Sequence, residues 1–305
     1  MDFRELDYII SIAKHKGVGK AAEEMHVSQP TLSKFVQNFE ASLGQPIFRK
    51  VGNKFLLTYA GERYVETSKT ILKIKQDLDK ELADAIKNDV GELKIAFRRF
   101  GGFSVLSQAL ILFKKQFPRI KVSIYEDHAN VLEQMVLNGD IDLAFIVLQS
   151  MHPDIAYDII KHEEVLLIMS PDHPQAKNGV HKHGCRYPWM DVSKLEHEQF
   201  ILQWPEQRIR QLVDRIFRDA GIKPTNVLTI TNVYASVQLS IDGYGMAFVG
   251  ETPLHFVHAS KFPACFSVGD PCTTFDFVAV YRSGAYLPVY AKYFISIVNE
   301  VVNRK

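Results

Sequence analysis

The stretch VSQPTLSKF, Val27 to Phe35, sets a proline among small hydroxyl and amide residues with few apolar ones. Ser28 suits a helix N-cap, because its side-chain oxygen can accept a free backbone N–H. Pro30 then falls in the first turn, where a missing N–H costs nothing. Behind it Leu32, Phe35, Val36, Phe39 and Leu43 recur at three- and four-residue steps, and Gly44 supplies a stop. The stretch is therefore the start of a helix with one apolar face. Its other face carries Gln29, Thr31, Ser33, Lys34 and Gln37.

Upstream, Phe3, Leu6, Ile9, Ile10 and Ala13 have helical spacing. After the break HKGVG, the segment KAAEEMHV gives a compact second helix with Ala21, Ala22 and Met25 inward. Two helices joined by a tight turn, the second with a polar N-terminal face, describe a helix-turn-helix. Such a helix presents its first side chains to base edges in the major groove. Gln pairs with adenine, Ser and Thr bond to either kind of edge, and Lys favours guanine or phosphate. From periodicity alone, a small helical domain with a merely solvated polar face stands as the alternative. Downstream, PIFRKVGNKFLLT (Pro46 to Thr58) reads as strands IFRK and KFLLT around a Gly-Asn turn. Arg49, Lys50 and Lys54 cluster on this hairpin, which reads as a wing placed to hold phosphates.

The run GKAAEEMHVSQPTLSKFVQNFEASLGQPIFRKVGNKFLLTYAG resembles the winged helix-turn-helix of LysR-type transcriptional regulators. The likeness rests on Ala21-Ala22, Ser28-Gln29-Pro30, Ser33, Glu40, Leu43-Gly44, Phe48, Leu57-Thr58 and Ala60-Gly61. Two positions depart from the family pattern. Lys50 stands where Arg is usual, and cannot form a bidentate phosphate clamp. Phe39 stands where Leu is usual. By the resemblance and the residue chemistry together, the DNA-contacting set is Ser28, Gln29, Pro30, Thr31, Ser33, Lys34, Gln37, Arg49, Lys50 and Lys54.

From Thr58 the sequence TYAGERYVETSKTILKIKQDLDKELADAIKN holds no proline, and its only glycine is Gly61. Tyr64, Ile71, Ile74, Leu78, Leu82 and Ala85 make a stripe near the seven-residue repeat that needs a partner. Packing on its own domain is one partner; a second copy is the other. The resemblance implies an antiparallel pairing of this linker helix, a homodimer on a pseudo-palindromic site, and a homotetramer built as a dimer of dimers.

After Asp89-Val90-Gly91 the pattern changes. Strands LKIAF, KVSIYE and IDLAFIVL alternate with helices SVLSQALILFKKQF and NVLEQMVLNG, a βαβαβ order that implies a parallel sheet. A second set follows: EEVLLIMS, QFILQ, helix EQRIRQLVDRIFRDAG, VLTIT, helix VYASVQLSIDG and MAFVG. The chain closes with strand TFDFVAVYR and helix LPVYAKYFISIVNEVV. Segments Gly139–Ala144 and Gly243–Ala247 resemble stretches of the family's effector-binding region, which is similar to periplasmic binding proteins. The likeness is weakest over Met151–Trp189.

The expected fold is thus α/β with an N-terminal winged helix-turn-helix (1–58), a linker helix (59–88) and a two-lobed effector domain (89–305). Lobe I comprises 92–163 plus 269–305, and lobe II 164–268.

In open α/β sheets ligands sit beyond the strand C-termini, at helix N-termini that favour anions. Three such places are legible: Arg98-Arg99-Phe100-Gly101-Gly102-Phe103-Ser104, Gln203-Trp204 and Thr231-Asn232. The family places small polar residues at the first, so Arg98 and Arg99 suggest an anionic effector, with Phe100, Trp204 and Phe248 as apolar walls. The two arginines facing solvent, or pairing with acids across an oligomer contact, is the competing reading.

The remaining observations mostly exclude. A net charge of +1, with 47% hydrophobic and 23% charged residues, is that of an ordinary soluble protein. No stretch approaches the ~20 apolar residues of a membrane span. The start MDFRELDYII carries acids and lacks a signal peptide's basic start and small-residue exit, so no export signal is expected. The expected location is the cytoplasm. Cys185, Cys265 and Cys272 are odd in number and lack a CxxC, so neither a disulfide framework nor a zinc finger is expected. In VHKHGC, His181, His183 and Cys185 alternate as soft-metal ligands do, but no fourth ligand is visible and no metal is assigned. There is no GxSxG, P-loop, HExxH or dinucleotide fingerprint. The expectation is a regulator and not an enzyme, needing no cofactor. Its partners are double-stranded DNA, a small effector, further copies of itself and, if it activates, RNA polymerase.

Overall fold

A computed structural model describes residues 2–52, 54–85, 90–98, 103–254 and 261–304. The chain divides into two compact units, Met1–Asn88 and Asp89–Lys305.

In the first unit α1 (Phe3–His15) opens on Asp2, which forms a reciprocal capping box with Glu5. Next come α2 (Val18–Glu24) and α3 (Gln29–Leu43). Ile9, Ile12, Ala21, Ala22, Leu32 and Val36 close a small core. The alanines let the helices approach closely enough to bury Leu32 completely. A hairpin follows, β1 (Phe48–Val51) paired antiparallel to β2 (Lys54–Leu57). Glu40 on α3 fixes its root, its Oε1 accepting from the backbone N–H of Ile47 (2.7 Å) and Phe48 (2.9 Å). The long helix α4 (Tyr59–Ala85) then starts at Thr58, whose hydroxyl accepts from Gly61 N and donates to the Pro46 carbonyl. Gly61 is required by space: a Cβ there would lie 2.1 Å from the Ile47 carbonyl oxygen.

Among the described residues the second unit holds two five-stranded mixed sheets. The first runs β4-β3-β5-β12-β6, from β3 (Gly91–Arg98), β4 (Ile120–Asp127), β5 (Leu143–Val147), β6 (Ile155–Glu164) and, far along the chain, Thr274–Arg282 as β12. It is packed by α5 (Phe103–Gln116) and α6 (Ala129–Asn138), together with the C-terminal helix Val289–Asn303. The second runs β11-β7-β10-β8-β9, from β7 (Leu166–Met169), β8 (Gln199–Gln203), β9 (Asn226–Ile230), β10 (Met246–Val249) and β11 (Ala264–Ser267). Its helices are α7 (Arg208–Asp219) and α8 (Val233–Ile241), with the short α9 (Glu251–Leu254) after β10 and the C-terminal helix numbered α10.

The expected parallel order holds for β3, β4 and β5, and for β8, β9 and β10. The sheets are mixed because β12 enters antiparallel between β5 and β6, and β7 antiparallel between β10 and β11. The stretch EEVLLIMS is not one strand: Glu163-Glu164 end β6 in the first sheet, and after Val165 the chain begins β7 in the second. It returns to the first sheet over 268–273.

Candidate DNA-reading surface and effector cleft

The Ser28 hydroxyl accepts from Thr31 N (3.2 Å) and bonds the Thr31 hydroxyl (2.7 Å), so these two side chains build the start of α3. Leu32 and Val36 are buried beneath it. Gln29, Pro30, Lys34 and Gln37 stand exposed along the outer face, with Ser33 half-buried. On the wing Arg49, Lys50 and Lys54 are exposed as well. The turn of the wing includes Gly52 at φ 60°. The surface thus joins a polar helix face to a basic hairpin, and Glu40 couples the two. Behind it, the Lys14 ammonium, the Ser11 hydroxyl and the His15 ring bind the Glu24 carboxylate and pull it down to about 2. This ties α2 to α1.

In the second unit, Arg98 at the end of β3 lines two adjoining cavities. The inner one is an apolar chamber of about 60 Å³, walled by Phe97, Phe145, Phe248, Phe275 and Phe277. Its polar members are Arg98, Glu163, Gln203 and Thr252. Glu163 is 2% exposed, and both its oxygens are engaged by Thr252, through the backbone N–H (2.9 Å) and the hydroxyl. Gly250 makes room for it: a Cβ there would meet Glu163 Oε2 at 2.6 Å. Gln203 donates to the Phe248 carbonyl (2.9 Å), while its Oε1 is buried without a partner among the described residues. Burial pulls the Arg98 guanidinium below its ordinary pKa, with the Glu163 carboxylate opposing.

The outer cavity is wider, about 590 Å³, and shares Arg98 and Val147 with the chamber. Into it point the first turn of α6 (His128 to Val131), Gln149, Thr231, and Glu206, Gln207, Arg208 and Gln211 around the start of α7. Neither the His128 nor the Gln207 side chain caps its own helix. Both helices therefore turn positive dipole ends toward one opening. Arg208 adds a guanidinium whose Nε is buried and unpaired among the described residues. Its pKa is lowered by burial first and by Arg215 second.

Of the residues singled out in the sequence, Arg98, Gln203 and Phe248 meet at the chamber, and Thr231 lies on the rim of the outer cavity. Asn232 caps α8, its Oδ1 accepting from Tyr234 and Ala235 N. Trp204 is 47% exposed and lines neither cavity, because β8 ends at Gln203 and the next side chain turns outward. Phe103 and Ser104 begin α5. Arg99, Phe100, Gly101 and Gly102 lie outside the described residues. Sequence reasoning missed Glu163, His128, Gln149 and Arg208, which come from separate strand ends and helix starts. The cysteines correct an expectation: Cys185 and Cys272 form a disulfide. No cluster of three metal-ligating side chains gathers among the described residues, nor is any of their helices long and apolar enough to cross a membrane.

A helix-turn-helix with a basic wing, followed by a two-sheet domain with a cleft, defines a DNA-binding regulator that senses a small molecule. Comparison with known proteins agrees. Residues 3–62 match the bacterial regulatory helix-turn-helix proteins of the lysR family, and residues 87–303 match the LysR substrate binding domain. The chain belongs to the LysR family of transcriptional regulators and is not an enzyme. It is 26% identical over 257 residues to a probable RuBisCO transcriptional regulator of Trieres chinensis, covering 82% of this chain and 81% of the relative. It is also 26% identical over 259 residues to the regulator ClcR of Pseudomonas putida, covering 83% of each. Its fold is similar to that of a cysteine-to-aspartate variant of full-length OxyR from Pseudomonas aeruginosa, with TM-score 0.71, 22% identity, and 99% and 94% of the two chains covered.

Proposed function

We propose that this regulator reads a pseudo-palindromic site through Gln29, Thr31, Ser33, Lys34 and Gln37 of α3, while Arg49, Lys50 and Lys54 of the wing hold phosphates. A small anionic effector held at the outer cavity shifts the balance between two arrangements of the lobes, changing oligomer geometry and DNA bending. The observation that carries the anionic reading is the convergence of Arg98, Arg208 and two helix starts without side-chain caps on one opening. Helix N-termini and guanidinium donors satisfy carboxylate or phosphate oxygens. The Phe-lined chamber beside it accepts an apolar body. The effector counts as allosteric only because it binds one arrangement better than the other.

A dimer is supported by α4, where Ile74, Leu78 and Leu82 are 62%, 52% and 57% exposed along one stripe. A second apolar face, Leu110 and Ile111 of α5 with Val122 and Ile124 of β4, supports the further contact a tetramer needs.

The effector test screens small carboxylates and inorganic phosphate by thermal shift, then titrates each hit by calorimetry against the native chain and Arg98→Ala. Affinity falling about tenfold or more in the variant supports the site. Unchanged affinity rejects Arg98 as a ligand group.

A further inference from the structure

The disulfide lies where the two sheets exchange chain. Cys185 and Cys272 have Cα atoms 5.8 Å apart across 87 residues of sequence. Cys272 is in the 268–273 crossover, and Cys185 is in the loop that links Asn178 to Asp191. That loop grips both crossovers. Arg186 N donates to Glu164 Oε1 (3.0 Å), next to the Val165 crossing, and the Arg186 guanidinium clasps both oxygens of Glu251. Trp189 Nε1 donates to the Gly269 carbonyl (2.8 Å), and Lys182 pairs with Asp270 at 2.9 Å while stacking over the Trp189 ring. The crossovers are themselves joined, Val165 N donating to the Thr273 carbonyl at 2.9 Å. The disulfide is the covalent member of this grip, and both its cysteines are half-exposed.

A DNA-reading protein works in a compartment where thiols are kept reduced, and a disulfide there is usually transient and responsive. We propose that Cys185 and Cys272 are a reversible dithiol–disulfide couple that sets how freely the two crossover segments move, and so makes the effector region responsive to low-molecular-weight disulfides. In the oxidising direction the Cys185 thiolate attacks a glutathione-type disulfide and expels one thiolate. The Cys272 thiolate then attacks the mixed disulfide and expels the second. Two protein thiols are oxidised, one small disulfide is reduced to two thiols, and the protons pass from the cysteines to the leaving thiolates. Cys265 does not compete: burial pushes its thiol up to about 11, and its Sγ faces the Pro263 carbonyl.

The proposal rests on the regulator reading only for its compartment, so its test uses no DNA. The full-length chain is equilibrated in reduced and oxidised glutathione at ratios from about 1:1 to about 1000:1. It is then acid-quenched, alkylated and digested without reduction. The 185–272 linked peptide is expected to appear and vanish reversibly within that range, in the native chain and in Cys265→Ser. Amide exchange at Val165 and Thr273 is expected to slow about tenfold or more on oxidation, and to be insensitive to glutathione in Cys185→Ser and in Cys272→Ser. A linked peptide that never forms, one that reduced glutathione does not open, or exchange rates unchanged by its formation would each overturn the proposal. Failure of these readouts would leave the DNA-reading proposal standing, because none of them involves DNA.

Discussion

The two units of the chain encode their sites in opposite ways. The DNA-reading surface is proposed on one helix and one hairpin spanning Ser28 to Lys54, so neighbours in sequence are neighbours in space. The proposed effector cleft draws Arg98, His128, Glu163, Gln203, Arg208 and Phe248 from six separate elements or their flanking turns. A site written in one helix is fixed by local rules: a cap, a period of 3.6 and a stop. A site written across two sheets is fixed by topology, and a residue's part in it shows only after folding. The first unit therefore tolerates change on its outer face but not beneath it, whereas the cleft depends on the placement of distant strand ends.

The strongest challenge to this contrast is Leu32→Ala. Leu32 is fully buried under α3, and the cavity should cost about 2–5 kcal/mol of stability. Thermal unfolding should show the loss in a first transition, with the effector unit unmoved; a shift confined to the second unit would break the account. Next comes Arg208→Ala, which should weaken an anionic effector by about 1.5–3 kcal/mol in calorimetry and leave DNA affinity in the absence of effector unchanged. On the reading face, Gln29→Ala should cost about 1–3 kcal/mol at one base pair and little elsewhere, measured by competition among single-substituted sites. Loss spread evenly over all sequences would mean that Gln29 only positions the helix.

The smallest effect is a pH dependence. Glu24 is held at about 2 in the folded unit against an ordinary value of 4.5, chiefly by Lys14 and Ser11. A depressed carboxylate contributes stability that is fully present above its unfolded value and is lost as pH falls through the folded one. The first unit should therefore weaken between about pH 4.5 and 2, and Glu24→Gln should flatten that slope in acid unfolding.

The contrast also explains what the sequence made legible. Ser28, Pro30, Gly44 and the Leu32–Val36 stripe announce α3, and its span follows from them. Strand β6 escaped notice because it is an edge strand whose Tyr157, Asp158 and His162 break the expected alternation. Glu163 read as the polar start of a strand, yet it is buried because Thr252, 89 residues away, supplies its hydrogen bonds. The disulfide was invisible for a similar reason: a pairing across 87 residues is a property of the crossover and not of cysteine spacing. Trp204 shows the reverse error, where an aromatic at a strand end suggested a wall but the strand stops one residue earlier.

We propose that α3 and its basic wing read DNA. The most direct measurement is the affinity of the full chain for the DNA upstream of its own gene, titrated over salt, beside the Arg49→Ala, Lys50→Ala, Lys54→Ala triple variant. Each wing phosphate contact should add about 0.9 to the slope of log affinity against log salt, so the variant should lose about 2.7 while keeping its sequence preference. A slope unchanged by removing the three charges, or binding with neither salt dependence nor sequence preference, would contradict the account.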